Sequence, residues 1–153
     1  MKSQKTYLFK NTAFKEGDES AKTVFSGLGE LEVGPAPEFE GSPETLNPEE
    51  MFVAAINNCL LTTFFYFVRK LNVEILSYCS EAQGRLEKQK DGFRFTHVGV
   101  RAEVTLAQQG LAEKVRQIGD LAEKYCLISR SVTCTVQYEL ELRQQESDPN
   151  GRV

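Results

Sequence analysis

The sequence predicts an α+β fold, and three patterns in its 153 residues support that prediction. Residues 51–68 form an apolar stretch without a charged side chain, which is typical of a long buried helix. Two β-prone runs, 73–88 and 93–106, meet at the turn signal Lys90-Asp91-Gly92 and predict an antiparallel hairpin. Apolar and polar residues then alternate over 132–143, as in a strand with one buried face. Strands and helices in this order, without repeats, indicate a single α+β domain over 1–153.

The N-terminal part of the chain, residues 1–46, is expected to form a small antiparallel β meander followed by a loop. Short apolar runs at 6–9 and 22–25 predict strands, and glycines separate the segments around them. Glycine and proline are frequent in 34–43, which predicts the loop that leads into the long helix.

The central helix is predicted to span residues 47–70. Asn47 stands where an N-cap is needed, and Pro48 suits the first helical turn, where a missing N–H breaks no hydrogen bond. Glu49 and Glu50 follow, so their carboxylates face the positive end of the helix dipole. Capping and dipole complementation are therefore the ordinary roles for this acidic start.

The C-terminal half is predicted to consist of a hairpin, a second helix and a final strand. The hairpin covers 73–106, and one face of its second run is apolar. Apolar residues recur at helical spacing over 111–125, which predicts the second helix. The alternating segment 132–143 forms the final strand.

Composition and charge exclude several classes of protein. Hydrophobic residues make up 41% and charged residues 26% of the chain, as in soluble globular proteins. The net charge of −4, with scattered lysines, provides no basic stripe for a nucleic-acid backbone. The first ten residues lack a secretion signal, so a cytoplasmic location is expected. No partner nucleic acid is expected.

The apolar helix is nearly long enough to cross a membrane, but polar residues interrupt its centre, so we expect no membrane insertion. A helix that is apolar almost all round is buried on every side. A chain of 153 residues can hardly cover such a helix alone. The sequence therefore favours a second chain as the cover.

Four cysteines, at positions 59, 79, 126 and 134, are the candidates for chemistry. Their separations of 20, 47 and 8 residues lack the close pairs of a zinc site, and the single His97 has no local partner. Cys79 and Cys134 fall in predicted strands, with Cys134 on the apolar face, and are interpreted as structural. Cys59 in the long helix and Cys126 at the end of the second helix leave two alternatives open, inert packing or dithiol chemistry.

Two motifs resemble those of a known family. The string Asn47-Pro48-Glu49-Glu50-Met51-Phe52-Val53-Ala54-Ala55-Ile56-Asn57-Asn58-Cys59 resembles the N-P-E-E-L-x-x-A-x-x-x-x-C signature of the OsmC/Ohr family, the osmotically inducible and organic hydroperoxide resistance proteins. The string Ala122-Glu123-Lys124-Tyr125-Cys126-Leu127-Ile128-Ser129 is similar to that family's A-x-x-x-C-P-[IV]-S segment. The motifs stand in the family's order, and the resemblance covers about residues 5–143.

The resemblance implies an intertwined homodimer in which antiparallel sheets surround long buried central helices. It also implies a cysteine-based peroxidase without a bound cofactor. Cys59 would attack the hydroperoxide and become a sulfenic acid, and Cys126 would convert it to a disulfide. An external dithiol, lipoyl-type in the family, would reduce the disulfide. Glu49 would support the site. Phe52 and Phe64 would line a pocket for an organic peroxide, although packing in the dimer core is the ordinary role of such residues.

The chain departs from the family pattern at two places. Glu38 stands where many relatives carry an arginine that activates the first cysteine, and Lys22, Arg85 or Arg130 would have to replace that charge. Leu127 stands where the family has proline after the second cysteine. The missing arginine leaves a second function open: a weakly catalytic protein that binds a small apolar ligand or acts as a thiol redox sensor.

Helix geometry adds an expectation about Glu49. Ten residues of helix rise about 15 Å, so Glu49 cannot touch Cys59 of its own chain unless the helix is broken. We therefore expect a composite site at the dimer interface.

Overall fold

The computed structural model describes residues 5–145, and it confirms the α+β class. The described chain divides into two compact units with a boundary between Phe52 and Val53, a division that the sequence did not indicate. The helices and strands in chain order are β1 (Thr12–Phe14), β2 (Lys22–Phe25), β3 (Gly29–Glu32), α1 (Pro48–Lys70), β4 (Ile75–Gln89), β5 (Gly92–Leu106), α2 (Ala112–Tyr125) and β6 (Thr135–Gln144).

The first unit contains an antiparallel sheet in the order β1-β2-β3. The prediction of a strand at 6–9 was wrong, because these residues lie outside any strand and Leu8 and Phe9 are 82% and 93% exposed. An apolar run becomes a strand only where a neighbour pairs with it, and β2 is already paired along both edges. After β3, a short 3₁₀ turn at Pro37–Phe39 lies in the loop that leads to the long helix.

Helix α1 begins at Pro48 because Asn47 caps it. The backbone N–H of Glu50 donates to Oδ1 of Asn47 at 2.8 Å, as an N-cap requires. Two basic residues, Arg69 and Lys70, end the helix at the negative end of its dipole.

Only one stripe of α1 is buried within the chain. It consists of residues at four-residue intervals, namely Ile56, Leu60, Phe64 and Val68. By length and composition, α1 is apolar enough to cross a membrane. Only 28% of its 18-residue apolar window is buried in the structure. It is the one helix of residues 5–145 that meets those criteria, which the core helix of a soluble protein can also meet.

The second unit contains a three-stranded sheet in the order β4-β5-β6. Strands β4 and β5 form a long antiparallel hairpin whose loop is Lys90–Asp91, and Gly92 follows with φ of 123°. The resemblance implied antiparallel sheets, but β5 and β6 pair in parallel, so this sheet is mixed. Helix α2 forms the crossover between these strands, and a helical crossover returns the chain in the parallel direction.

A hydrophobic core joins α1, α2 and the inner face of this sheet. Its fully buried members include Phe64, Val104 and Ile118. Helix α2 approaches β6 so closely that a methyl group on Gly119 would collide with the side chain of Leu140. The middle of α2 therefore packs directly against β6.

The final strand begins later than the sequence indicated. It starts at Thr135 rather than 132, because a 3₁₀ turn at Ser129–Ser131 follows α2 and delays pairing with β5. Cys134 therefore precedes the strand, where its side chain is half-buried, and the prediction that it lies on the strand was wrong.

Candidate functional site

The second unit brings Cys59 and Cys126 together. Cys59 lies in the middle of α1 and is half-buried, whereas Cys126 follows the last residue of α2 and is fully buried. Burial is the largest influence on the Cys126 thiol and raises its pKa. The Cys59 thiol is close enough to raise that pKa further through a hydrogen bond and through charge. Two thiols 67 positions apart in the sequence are therefore neighbours.

The chain turns sharply after Cys126. Cys126 leaves the helix with an extended backbone, at φ −62° and ψ 111°. The backbone N–H of Arg130 donates to the carbonyl of Cys126 at 3.2 Å, and the hydroxyl of Ser131 donates to the carbonyl of Leu127 at 2.8 Å. Leu127, which replaces the family's proline, points into solvent with 72% exposure. The turn therefore forms without the proline.

Ser129 directs two donors at the sulfur of Cys126. Its hydroxyl lies 3.0 Å from Sγ, and its backbone N–H lies 3.5 Å from the same atom. Both hydrogen bonds lower the pKa of Cys126 and oppose the effect of burial. Sequence reasoning missed this residue, although it stood in the quoted motif, three positions after the cysteine.

A tyrosine pair lies beside the dithiol and was also missed. The hydroxyl groups of Tyr78 and Tyr138 are 3.0 Å apart. Burial is the main reason that the pKa values of both phenols are raised, and that of Tyr138 is raised further by Tyr78, Glu123 and Cys126. The inward position of Tyr138 in the alternating final segment was the available signal.

Glu49 occupies the first turn of α1, and an uninterrupted helix runs from it to Cys59. Glu49 and Cys59 are ten positions apart, which corresponds to a rise of about 15 Å, so no helix break brings Glu49 to Cys59 of the same chain. Its Oε2 atom is buried and has no hydrogen-bond partner among residues 5–145. A buried carboxylate oxygen without a donor is costly and rare.

The two predicted substrate-binding phenylalanines occupy different environments. Phe64 is fully buried in the core, with its ring 5.0 Å from that of Tyr78. Phe52 lies one turn into α1 and is half-buried. A role for either residue in substrate binding stays a prediction.

The candidate replacement cations differ in their surroundings. Lys22 forms an ion pair with Glu30 at 3.4 Å in the first unit. Arg85 lies on β4, and Arg130 is exposed in the turn after Cys126. No lysine or arginine of the described chain is among the groups that shift the pKa of Cys126. Glu38 lies in the 3₁₀ turn Pro37–Phe39 and is exposed.

The remaining candidates do not join the dithiol. Cys79 is exposed on β4, and among residues 5–145 no cluster of three histidine, cysteine or acidic residues could hold a metal ion. A polar groove of about 1030 Å³ lies along β4, β5 and β6 and includes His97 and Asn57. Neither Cys59 nor Cys126 lines this groove, so the groove is separate from the thiols.

Comparisons with known proteins agree with the motifs. The model of a family described as OsmC-like protein matches residues 41–141. A search of curated proteins found no match.

Solved structures share this fold over nearly the whole chain. An OsmC-like protein of unknown function from Vibrio cholerae has 23% identity and a TM-score of 0.76, covering 88% of this chain and 100% of its own. An organic hydroperoxide resistance protein OsmC from Legionella pneumophila has 20% identity and a TM-score of 0.68, with coverages of 90% and 99%. The organic hydroperoxide resistance protein OhrB of Bacillus subtilis has 23% identity and a TM-score of 0.59, with coverages of 90% and 98%. The chain thus shares the OsmC-like fold.

Proposed function

Since the chain belongs to the OsmC-like protein family, we propose that it is a thiol peroxidase that reduces organic hydroperoxides or hydrogen peroxide. The observation that carries this proposal is the proximity of Cys59 on α1 to Cys126 at the end of α2, which is close enough for Cys59 to raise the pKa of Cys126. Two structural neighbours are named as organic hydroperoxide resistance proteins, which supports the same class of substrate.

The exposure of the two thiols supports different roles for them. Cys59 is half-buried and Cys126 is fully buried, so Cys59 is the thiol that a peroxide reaches. Its thiolate attacks the distal peroxide oxygen, the O–O bond breaks, and an alcohol or water leaves after protonation. Cys59 is then a sulfenic acid. The Cys126 sulfur attacks the Cys59 sulfur, water leaves, and a disulfide joins the two residues.

The disulfide must be reduced before another turnover. An external dithiol, such as a lipoyl-type group, supplies the two electrons, and the reaction requires no bound cofactor or metal. Phe52 and Phe64 are proposed to contribute apolar surface to the peroxide site. A cytoplasmic location fits this chemistry because the reducing compartment keeps the dithiol reduced between turnovers.

A homodimer completes this proposal. Most of the apolar window of α1 is left unburied by its own chain, and apolar surface of this extent is stabilised when a second copy covers it. The unpaired Oε2 of Glu49 is the second supporting observation. Glu49 of the partner subunit would then supply the carboxylate that the straight helix keeps from Cys59.

A thiol redox sensor is the second candidate function. The observation that favours it is that Glu38, exposed in the 3₁₀ turn Pro37–Phe39, stands where the family carries the arginine that activates the first cysteine. A sensor requires a slow, stoichiometric reaction rather than turnover. A weakly catalytic protein that binds a small apolar ligand belongs to the same alternative.

The test is peroxide consumption by the pre-reduced protein with a dithiol reductant. We expect fast turnover of cumene hydroperoxide, complete loss in Cys59→Ser, and oxidation without efficient turnover in Cys126→Ser. Cys79→Ser is the matched control because this thiol is exposed on β4, and its activity should be unchanged. Consumption no faster than that of free cysteine would refute the peroxidase. A persistent sulfenic acid at Cys59, detected by mass spectrometry, would then favour the sensor.

A further inference from the structure

We propose that Ser129 is a positioning residue that prepares Cys126 to leave as a thiolate, so that the reductant attacks the sulfur of Cys59. The inference rests on the proposed dithiol chemistry. It identifies which sulfur of the disulfide the reductant attacks and which sulfur leaves.

The geometry around Cys126 supports this role. The hydroxyl and the backbone N–H of Ser129 both donate to Sγ of Cys126, at 3.0 Å and 3.5 Å. Two donors on one sulfur favour its charged form, because hydrogen bonds to an anion are stronger than those to a neutral acceptor. The 3₁₀ turn Ser129–Ser131 holds both donors in place.

Cys126 needs this help because its other surroundings oppose a negative charge. It is fully buried, and it lies at the C-terminal end of α2, where the helix dipole is negative. The titratable groups nearby are Cys59 on α1 and, through Tyr138 on β6, Glu123 on α2. None of these groups is a cation. Ser129 therefore supplies the donors that stabilise the charged sulfur in the described chain.

The unequal exposure of the two sulfurs gives the reaction its direction. An external thiolate can approach half-buried Cys59 more easily than fully buried Cys126. Its electron pair forms a new S–S bond to Cys59, the Cys59–Cys126 bond breaks, and that electron pair leaves on Cys126. A leaving thiol with a lower pKa departs faster, which is the step that Ser129 assists.

The second half of the reduction restores both thiols. The remaining thiol of the reductant loses its proton and attacks its own sulfur in the mixed disulfide. Cys59 then leaves as a thiolate, the reductant becomes a cyclic disulfide, and protons from solvent return to Cys59 and Cys126. Two electrons thus pass from the dithiol to the protein disulfide.

The first experiment measures the pKa of Cys126 without using peroxide. Substitutions Cys59→Ala, Cys79→Ser and Cys134→Ser leave Cys126 as the only thiol, so its thiolate absorbance can be followed against pH. Adding Ser129→Ala should raise the Cys126 pKa by about one unit, since one hydrogen bond to the anion is lost. Ser129→Thr keeps a hydroxyl and should restore the value. An unchanged pKa in Ser129→Ala would overturn the proposal.

Ser131→Ala is the matched control. Ser131 lies in the same turn, but its hydroxyl donates to the carbonyl of Leu127 instead of the sulfur. This variant should leave the Cys126 pKa unchanged. An equal rise in both variants would mean that the turn, rather than the Ser129 hydroxyl, controls the thiol, and would overturn the proposal.

The second experiment follows reduction of a disulfide that diamide forms in the otherwise unmodified chain. Dithiothreitol should reduce it several-fold more slowly in Ser129→Ala than in Ser131→Ala. Glutathione, followed by acid quenching and peptide mapping, should give a mixed disulfide on Cys59. A mixed disulfide on Cys126 would overturn the proposal. If peroxide forms no disulfide but these results hold, the peroxidase function fails while the role of Ser129 stands.

Discussion

The hydroxyl groups of Tyr78 and Tyr138 lie 3.0 Å apart and bridge β4 and β6, the two outer strands of the second sheet. The ring of Tyr78 also packs against Phe64 at 5.0 Å, so the pair joins the sheet to helix α1. Burial raises the pKa of both phenols, which keeps both hydroxyls protonated and able to share the hydrogen bond.

A double-mutant cycle measures this bridge. Tyr78→Phe should lower the free energy of unfolding by about 1–2 kcal/mol, because it leaves the Tyr138 hydroxyl without this partner. Tyr78→Phe combined with Tyr138→Phe should cost less than the sum of the single changes, with a coupling of at least about 0.5 kcal/mol. Urea denaturation provides the values. Strictly additive losses would contradict the bridge.

The same pair predicts a loss of stability at high pH. The pKa values of Tyr78 and Tyr138 in the folded protein lie above the ordinary value of 10.0, so the folded state holds these protons more tightly than the unfolded state. The contribution of these two phenols to the free energy of unfolding is therefore complete below about pH 10 and declines as the pH rises further. Tyr138→Phe should show a shallower decline in urea denaturation between neutral and alkaline pH. An identical decline in both proteins would refute this prediction.

The sequence predicted the elements whose patterns are local. The charge-free stretch of α1 is one continuous run, and the alternation of the last strand follows a period of 2, so neither needed knowledge of distant contacts. Strand pairing is not local, which is why the run at 6–9 was misinterpreted and the parallel pairing of β5 with β6 was missed. Cys59 and Cys126 were singled out by their positions on predicted helices, but only the resemblance implied that they pair, and Ser129 became relevant only when its distance to sulfur was known.

Gly119 is the residue that allows α2 to approach β6. A methyl group there would collide with Leu140, so Gly119→Ala should destabilise the protein by about 1–3 kcal/mol through overpacking. Gly110 is the matched control, because a methyl group added there meets no atom within 4 Å. Gly110→Ala should leave stability nearly unchanged in urea denaturation. Equal effects of the two changes would rule out a packing origin.

Glu49 and Glu50 are adjacent in the first turn of α1 but differ in environment. Oε2 of Glu49 is buried without a hydrogen-bond partner in the described residues, whereas the Glu50 side chain is exposed. If Glu49 supports the thiol chemistry, Glu49→Gln should lower kcat/KM at least tenfold, equivalent to about 1.4 kcal/mol of lost transition-state stabilisation. Glu50→Gln should leave it unchanged. Equal activities of the two variants, measured by peroxide consumption, would remove Glu49 from the site.

The face of α1 opposite its buried stripe provides a test of the dimer. Ala55, Asn58, Thr62 and Tyr66 are exposed there, at intervals of three and four residues. If a second copy covers this face, Ala55→Arg should place an unpaired charge in the interface and shift the protein from dimer to monomer in analytical ultracentrifugation. Arginine is a good helix former, so the helix itself should persist.

Gln117→Arg is the control for this experiment, because it places the same cation on an exposed position of α2, outside the α1 face. The Gln117→Arg protein should remain a dimer. Because a composite site needs both chains, Ala55→Arg should also lose peroxidase activity in proportion to its monomer fraction, and higher protein concentration should restore part of it. A fully active monomer would refute the composite site, since Glu49 and Cys59 of one chain are held apart by a continuous helix.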